Sequence, residues 1–320
     1  MRHDPLYSTD NPGGSRWVDV QLSRPEANTL FRCLVAIVET ENSSGDPPRL
    51  IGTGFIVGID PDIIVVSAAH VLIEWLDREI QPRTGSVLPE HRFNDQQRRF
   101  QEAVNSHRLG AIILLANGPI LCRMGELSVS SDLRACDIAV ACLKPQSPLP
   151  PGSLRCRFAL DADPFDFDDP VFFAGLVGHK DWRPRIAPDG SKAIDRLYWN
   201  LRVRASRIVS YGDARPTHKR PMYRGEIPSA SGMSGGPVYA LRRTPTSGST
   251  ILYMPTADAD LTPVGVIGVI SGDALGGGHT WITPIKDVLD VPIVGIPGRN
   301  LTIREAAREK RIGTLGSLSQ

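Results

Sequence analysis

The chain carries almost no net charge: 36 Lys and Arg stand against 35 Asp and Glu in 320 residues, a balance of +1 at neutral pH. No summed field draws it to nucleic acid, to an anionic membrane or to an acidic substrate. Long apolar runs are missing as well. No window reaches the roughly 18 residues of a spanning helix. The polar stretch from Met1 to Trp17, with Asp4, Asp10 and the turn Pro12-Gly13-Gly14, lacks the hydrophobic segment of a secretory leader. Cysteine is sparse and unpatterned: Cys33, Cys122, Cys136, Cys142 and Cys156 form an odd set without Cys-x-x-Cys spacing. Without paired His or Cys ligands at short spacing, neither a metal nor an organic cofactor is expected. Free, buried thiols point to a reducing, cytoplasmic setting.

What is present reads as a soluble globular protein, with 41% hydrophobic and 22% charged residues. Short runs rich in Val, Ile, Phe and Thr, bounded by Gly, Pro, Asp and Asn, recur in the manner of an antiparallel all-β chain. Phe31 to Thr40, Gly54 to Val57, Ile63 to Ser67, Ala111 to Leu115 and Ile138 to Leu143 form one group. The Pro-rich stretch Lys144 to Gly152 interrupts, and a second group follows: Pro170 to Gly175, Tyr198 to Val209, Pro237 to Leu241, Val264 to Ser271 and Thr280 to Thr283. Two β units of similar size are expected. Helix signals are few. Thr283-Pro284 offers an N-cap and a first-turn proline for a short helix through Leu289. Thr302 and Glu305 stand at capping-box spacing before the helix-forming segment Ile303 to Arg311. The charged span Glu74 to His107 reads as an inserted loop with some helix.

Three short segments carry chemistry. Ser234 sits in Gly232-Met233-Ser234-Gly235-Gly236-Pro237, where glycines can expose a hydroxyl while backbone N–H groups converge beside it. His70 closes Ser67-Ala68-Ala69-His70, after the run Ile63-Ile64-Val65-Val66, and small neighbours leave room for a substrate. An imidazole there can take the Ser234 proton and return it to a leaving amine. Asp137 opens the apolar strand Asp137-Ile138-Ala139-Val140, where a carboxylate carried inward needs a partner such as the His70 ring. Each segment alone also fits an ordinary turn, a core histidine or a strand-opening Asp. Together they give base, orienting acid and nucleophile in one of the known chain orders.

Through these segments, with Gly52-Thr53-Gly54-Phe55-Ile56-Val57 before the base, the chain resembles the trypsin-like, chymotrypsin-fold serine peptidases, and within them the compact bacterial branch that includes HtrA-type protease domains. The resemblance spans roughly residues 30 to 290. It implies two six-stranded antiparallel β-barrels with the active site in the cleft between them, and a short C-terminal helix. Under it the chain divides into an extension (1–27), a first barrel (28–145) with His70 and Asp137, a second barrel (146–285) with Ser234, and a helical tail (286–320). It also implies a serine endopeptidase acting on protein or peptide substrates, with an oxyanion hole formed by the N–H groups of Gly232 and Ser234. Met233 stands where many animal members have Asp and HtrA-like members Asn, so no zymogen step through a freed N-terminus is expected.

By the same resemblance Ile270, Ser271, Gly272 and Asp273 border the substrate, with Ser271 near Asp137, and Pro228 to Ser231 form another wall. Asp273 fits either a basic side chain or a solvated loop, and His279 and Thr280 stand near the pocket. The tail after Gly295 and the extension before Asn28 are left as surfaces for a protein regulator or activator. Two other readings remain. A catalytically idle, peptide-binding relative would keep the fold without turnover. Gly232-x-Ser234-x-Gly236 also matches the nucleophile elbow of α/β-hydrolases, with Asp258 or Asp273 and His279 as partners, but that motif needs a strand before the serine and a helix after it.

Overall fold

The structure, a computed structural model, describes residues 18–20, 22, 24–39, 48–59, 63–72, 109–115, 118–129, 136–145, 149, 154, 157–178, 185–186, 192–193, 199–212, 220–241, 253–255, 261–273, 278–290, 292–296 and 299–319. The charged span 74–107 lies outside them, as does most of the Pro-rich stretch 144–152.

The first unit opens with helix α1 (Arg24–Cys33) and continues through β1 (Leu34–Glu39), β2 (Arg49–Gly58), β3 (Ile63–Ser67), β4 (Leu109–Leu115), β5 (Gly118–Val129) and β6 (Ala139–Pro145). These strands close into an antiparallel barrel in the order β1-β2-β3-β6-β5-β4. Closure leaves no strand edge unpaired. All five positions of β3 are buried, so its sequence reads as an unbroken Ile-Ile-Val-Val run rather than an alternation. The alternate residues Ile64 and Val66 explain why: with Val57 and Val140 they face Leu301, Ile303, Ala306 and Ile312 of the C-terminal segment across a small apolar cavity. Both faces of the strand are thus covered.

The second unit holds β7 (Ala159–Leu160), β8 (Val171–Gly178), β9 (Trp199–Ser206), β10 (Ile208–Tyr211), β11 (Tyr223–Gly225), β12 (Pro237–Leu241), β13 (Leu261–Asp273) and β14 (Thr280–Pro284). It is a half-barrel. The main path of its eleven-stranded sheet runs from the short strand Val18–Asp19 through β9-β8-β12-β13-β14-β11 to β10. Strands β9 and β10 are two parts of one stretch broken at Arg207, so the sheet curls until its last strand, β10, is the chain neighbour of β9, the second strand from its other end. Where a second closed, six-stranded barrel was expected, this break leaves β9 paired to β8 and β10 paired to β11. Alternation splits the burial of β12: Val238 and Ala240 join the unit's own core, while Tyr239 joins the larger core shared with the first barrel. An aromatic row, Phe55–Phe158–Tyr239–Phe172, crosses that shared core with centroid spacings of 5.6, 6.1 and 5.3 Å.

Several elements differ from the sequence reading. Phe31 to Cys33, read as strand, form the last turn of α1, whose Leu30 and Cys33 are fully buried. Strands β5 and β11 were not anticipated. Thr283 and Pro284 end β14 instead of capping a helix, and only the 3₁₀ turn Ile285–Asp287 follows, without a side-chain cap. The capping box at Thr302 and Glu305 forms, opening α2 (Ile303–Arg308). The segment after residue 290 is more than a helical tail. A hairpin of Pro292–Ile296 with Arg299–Thr302 leads into α2, and Gly313–Thr314 then pairs in parallel with β7. The Asp163 carboxylate accepts from the Ser317 N–H at 3.0 Å, fastening this segment to the loop between β7 and β8 of the second unit.

Candidate functional site

The pairing of β3 with β6 brings two of the three chemical segments together. Ser67 stands opposite Ala139, so the residues just after β3 and just before β6 share one end of the barrel. His70 lies there on a helical turn covering residues 69–72, and Asp137 lies in the extended lead into β6. Asp137 is 2% exposed. Its two oxygens divide their work: Oδ1 accepts the His70 backbone N–H at 2.8 Å, and Oδ2 meets His70 Nδ1 at 2.7 Å. With the carboxylate ionised and the ring neutral, this contact puts the ring proton on Nδ1 and leaves Nε2 as the acceptor. The His70 side chain is 16% exposed, within reach of solvent at one edge.

The third segment comes from the other unit and packs against β2 and the end of β3. Ser234 lies in a turn before β12 and is partly exposed. Its carbonyl accepts the Thr53 N–H from β2 at 2.8 Å. Gly235, at φ +84°, lies so close to the end of β3 that a Cβ there would collide with Thr53 O and Ser67 Oγ and fall 2.9 Å from Ala68 N. Ser234 and His70 therefore flank a seam of direct backbone contact. A left-handed backbone and missing space both require glycine at 235.

Within the turn, the N–H groups of Met233, Gly235 and Gly236 donate to Ala230 O, Ile270 O and Met233 O at 2.9, 2.8 and 2.9 Å. The N–H groups of Gly232 and Ser234 donate to no group among the described residues. These are the two donors singled out in the sequence. Two such backbone donors beside the hydroxyl of a partly exposed serine can receive a negative oxygen. Met233 is fully buried in the core of the second unit, so the residue before the serine anchors the turn by packing.

The expected substrate border lies beside the turn. Ile270 exchanges two bonds with it, its N–H to Gly236 O at 2.9 Å and its carbonyl from the Gly235 N–H. Ser271 is buried, with its hydroxyl 2.6 Å from that of Thr283. Gly272 takes φ +103°, and Asp273 pairs with Thr280 across β13 and β14. Thr280 donates its hydroxyl to Ile227 O at 2.6 Å, and Arg204 donates to Pro228 O at 2.7 Å, so both brace the wall that starts at Pro228. His279 Nδ1 is buried without a hydrogen-bond partner among the described residues. Strand β12 follows the serine where a nucleophile elbow needs a helix, and Asp258 lies outside the described residues. The elbow reading has no structural counterpart here.

Two contributors escaped the sequence reading. Arg204 sat within a strand, with nothing to mark its inward direction. From sequence Thr53 is only a strand residue, although the flanking Gly52 and Gly54 signal a close backbone approach. Among the described residues no three His, Cys, Asp or Glu gather as a metal site, and no helix is long and apolar enough to cross a membrane.

Comparison with protein-family models and with curated proteins finds no match. The chain's class rests on its own structure: an all-β, barrel-rich fold compatible with a chymotrypsin-like architecture.

Proposed function

We propose that the protein is a serine endopeptidase of chymotrypsin-like architecture that hydrolyses peptide bonds through Ser234, His70 and Asp137. The observation that carries this reading is the two-point hold of Asp137 on His70, set against a serine turn whose Gly232 and Ser234 N–H groups have no protein acceptor among the described residues. Ser234 Oγ attacks the scissile carbonyl while its proton passes to His70 Nε2. The oxyanion of the tetrahedral intermediate is received by the two N–H groups. His70 then gives the proton to the leaving amine, the C–N bond breaks, and an acyl-enzyme remains. Water, deprotonated by His70, releases the acid and restores the serine. Asp137 keeps Nδ1 protonated and stabilises the imidazolium without taking the proton itself. Cys33, Cys122, Cys136 and Cys142 are buried and form no disulfide among the described residues, which favours a cytoplasmic enzyme.

Hydrolysis of a peptide library tests the proposal. Wild type is expected to cleave, and Ser234→Ala to lose about 10⁴-fold or more in kcat. A folded wild type that cleaves nothing, with or without added cell extract, would leave an idle peptide-binding module as the better account.

A further inference from the structure

Thr53 makes more contacts across the seam than its place in β2 requires. It is fully buried. Its hydroxyl donates to Gly232 O at 2.6 Å and accepts the Leu176 N–H at 2.9 Å. Its own N–H donates to Ser234 O at 2.8 Å, and its carbonyl accepts the Ser67 hydroxyl at 2.7 Å. Every polar group of this one residue is committed, through four hydrogen bonds, three to the second unit and one to the end of the strand that leads to His70.

We infer that Thr53 is the positioning residue of the serine turn, its hydroxyl fixing the orientation in which the Gly232 and Ser234 N–H groups converge. Gly232 needs such a fix, because at φ +96° it occupies a region where a glycine has many alternatives. The peptide after Gly232 is held at both ends, its carbonyl by Thr53 Oγ1 and its N–H by Ala230 O. The peptide after Ser234 is held likewise, by the Thr53 N–H and by Ile270 O. Between them lies the Met233–Ser234 peptide, whose carbonyl accepts from Gly236 and whose N–H is left projecting. Rotation of that peptide would turn a carbonyl toward the developing oxyanion, and the two pinned neighbours prevent it. Of the four anchors, the hydroxyl is the one a side-chain substitution can remove without moving the backbone.

The inference rests on the peptidase reading, and the test keeps the two apart. A fluorophosphonate probe phosphonylates an activated serine: the Oγ–P bond forms, fluoride leaves, and the base takes the proton. Its second-order labelling rate is to be measured for wild type, Thr53→Val, Thr53→Ser and Ile267→Val, the last a one-methylene cut in the second core that touches no polar group of the turn, each with its melting temperature. Thr53→Val is isosteric but leaves Gly232 O and Leu176 N–H without their partner. It is expected to label about a hundred- to a thousandfold more slowly than wild type, the range seen when one oxyanion donor is lost. Thr53→Ser should stay within a few-fold of wild type, and Ile267→Val should melt lower without a comparable loss of rate. Labelling of Thr53→Val within twofold of wild type would overturn the inference and leave the peptidase reading intact. Failure of folded wild type to label would sink both.

Discussion

Asp137 gives both of its oxygens to one residue, and that economy sets what its replacement does. Asparagine has one acceptor and one donor group; with the acceptor kept on the His70 N–H, its amide N–H would face Nδ1 and drive the ring proton to Nε2. Asp137→Asn should therefore fold with a near-native melting temperature yet react at neutral pH about 10⁴-fold more slowly, the size of effect known for the wrong tautomer in such a triad. Gly235 answers to sterics instead. A methyl group there meets Thr53 O and Ser67 Oγ in a left-handed backbone, so Gly235→Ala is expected to cost about 2 kcal/mol or more in unfolding experiments. At Cys122, burial pushes the thiol up to about 12. The native protein should leave it unalkylated by iodoacetamide at pH 8, with reaction only after denaturation. Rapid alkylation in the fold would contradict its placement.

At the scale of elements, the pattern of alternation against continuous apolar runs decided what could be read from sequence. Ile63–Ser67 and Pro237–Leu241 were bounded correctly because β-branched residues stop sharply at small residues or loops. Strand β5 escaped because Gly118-Pro119 begins it and Cys, Arg, Met, Gly and Glu fill its middle, a mixture without a clean period. Helix α1 was obscured where its apolar end, Phe31 and Cys33, runs straight into β1. The three chemical segments were legible because each combines a rare residue type with small neighbours; the role of Thr53 depends on contacts with Gly232 and Leu176, distant in sequence, and could not be. Helix α2 was legible through its capping box. The Thr302 N–H donates to Glu305 Oε2 at 2.8 Å and holds that carboxyl below its ordinary value of 4.5. A group depressed in the fold stabilises above its unfolded pKa and loses that contribution as pH falls through the folded value. The difference in melting temperature between wild type and Glu305→Gln should thus be constant near neutrality and shrink below about pH 4.5. A difference that grows in acid would reverse the assignment.

Across the whole molecule, the site exists only while the two units hold their relative position, since His70 and Asp137 come from one and Ser234 from the other. The aromatic row through Phe158 forms one tie, and the C-terminal segment forms another. Leu301, Ile303, Ala306 and Ile312 cover the barrel wall that carries β3 and β6, and Ser317 is fastened at Asp163 in the β7–β8 loop of the second unit. The segment that the sequence left as a surface for a regulator is thus largely engaged within the fold. Ala306 is 1% exposed, so Ala306→Asp would force a carboxylate against Ile64 and Val66, at a cost of several kcal/mol. Thermal unfolding should begin well below that of wild type, and fluorophosphonate labelling should fall with it although no chemical group has changed. Unaltered labelling at the lower melting temperature would show that the strap stabilises the barrel without holding the site.

The central claim is that Ser234 is a nucleophile activated by His70, and mapping the fluorophosphonate adduct by mass spectrometry tests it most directly. The account predicts a single phosphonyl group on the peptide containing Ser234 in wild type, and none in His70→Ala at the same exposure. An adduct on another residue, or one on Ser234 that survives loss of His70, would contradict it.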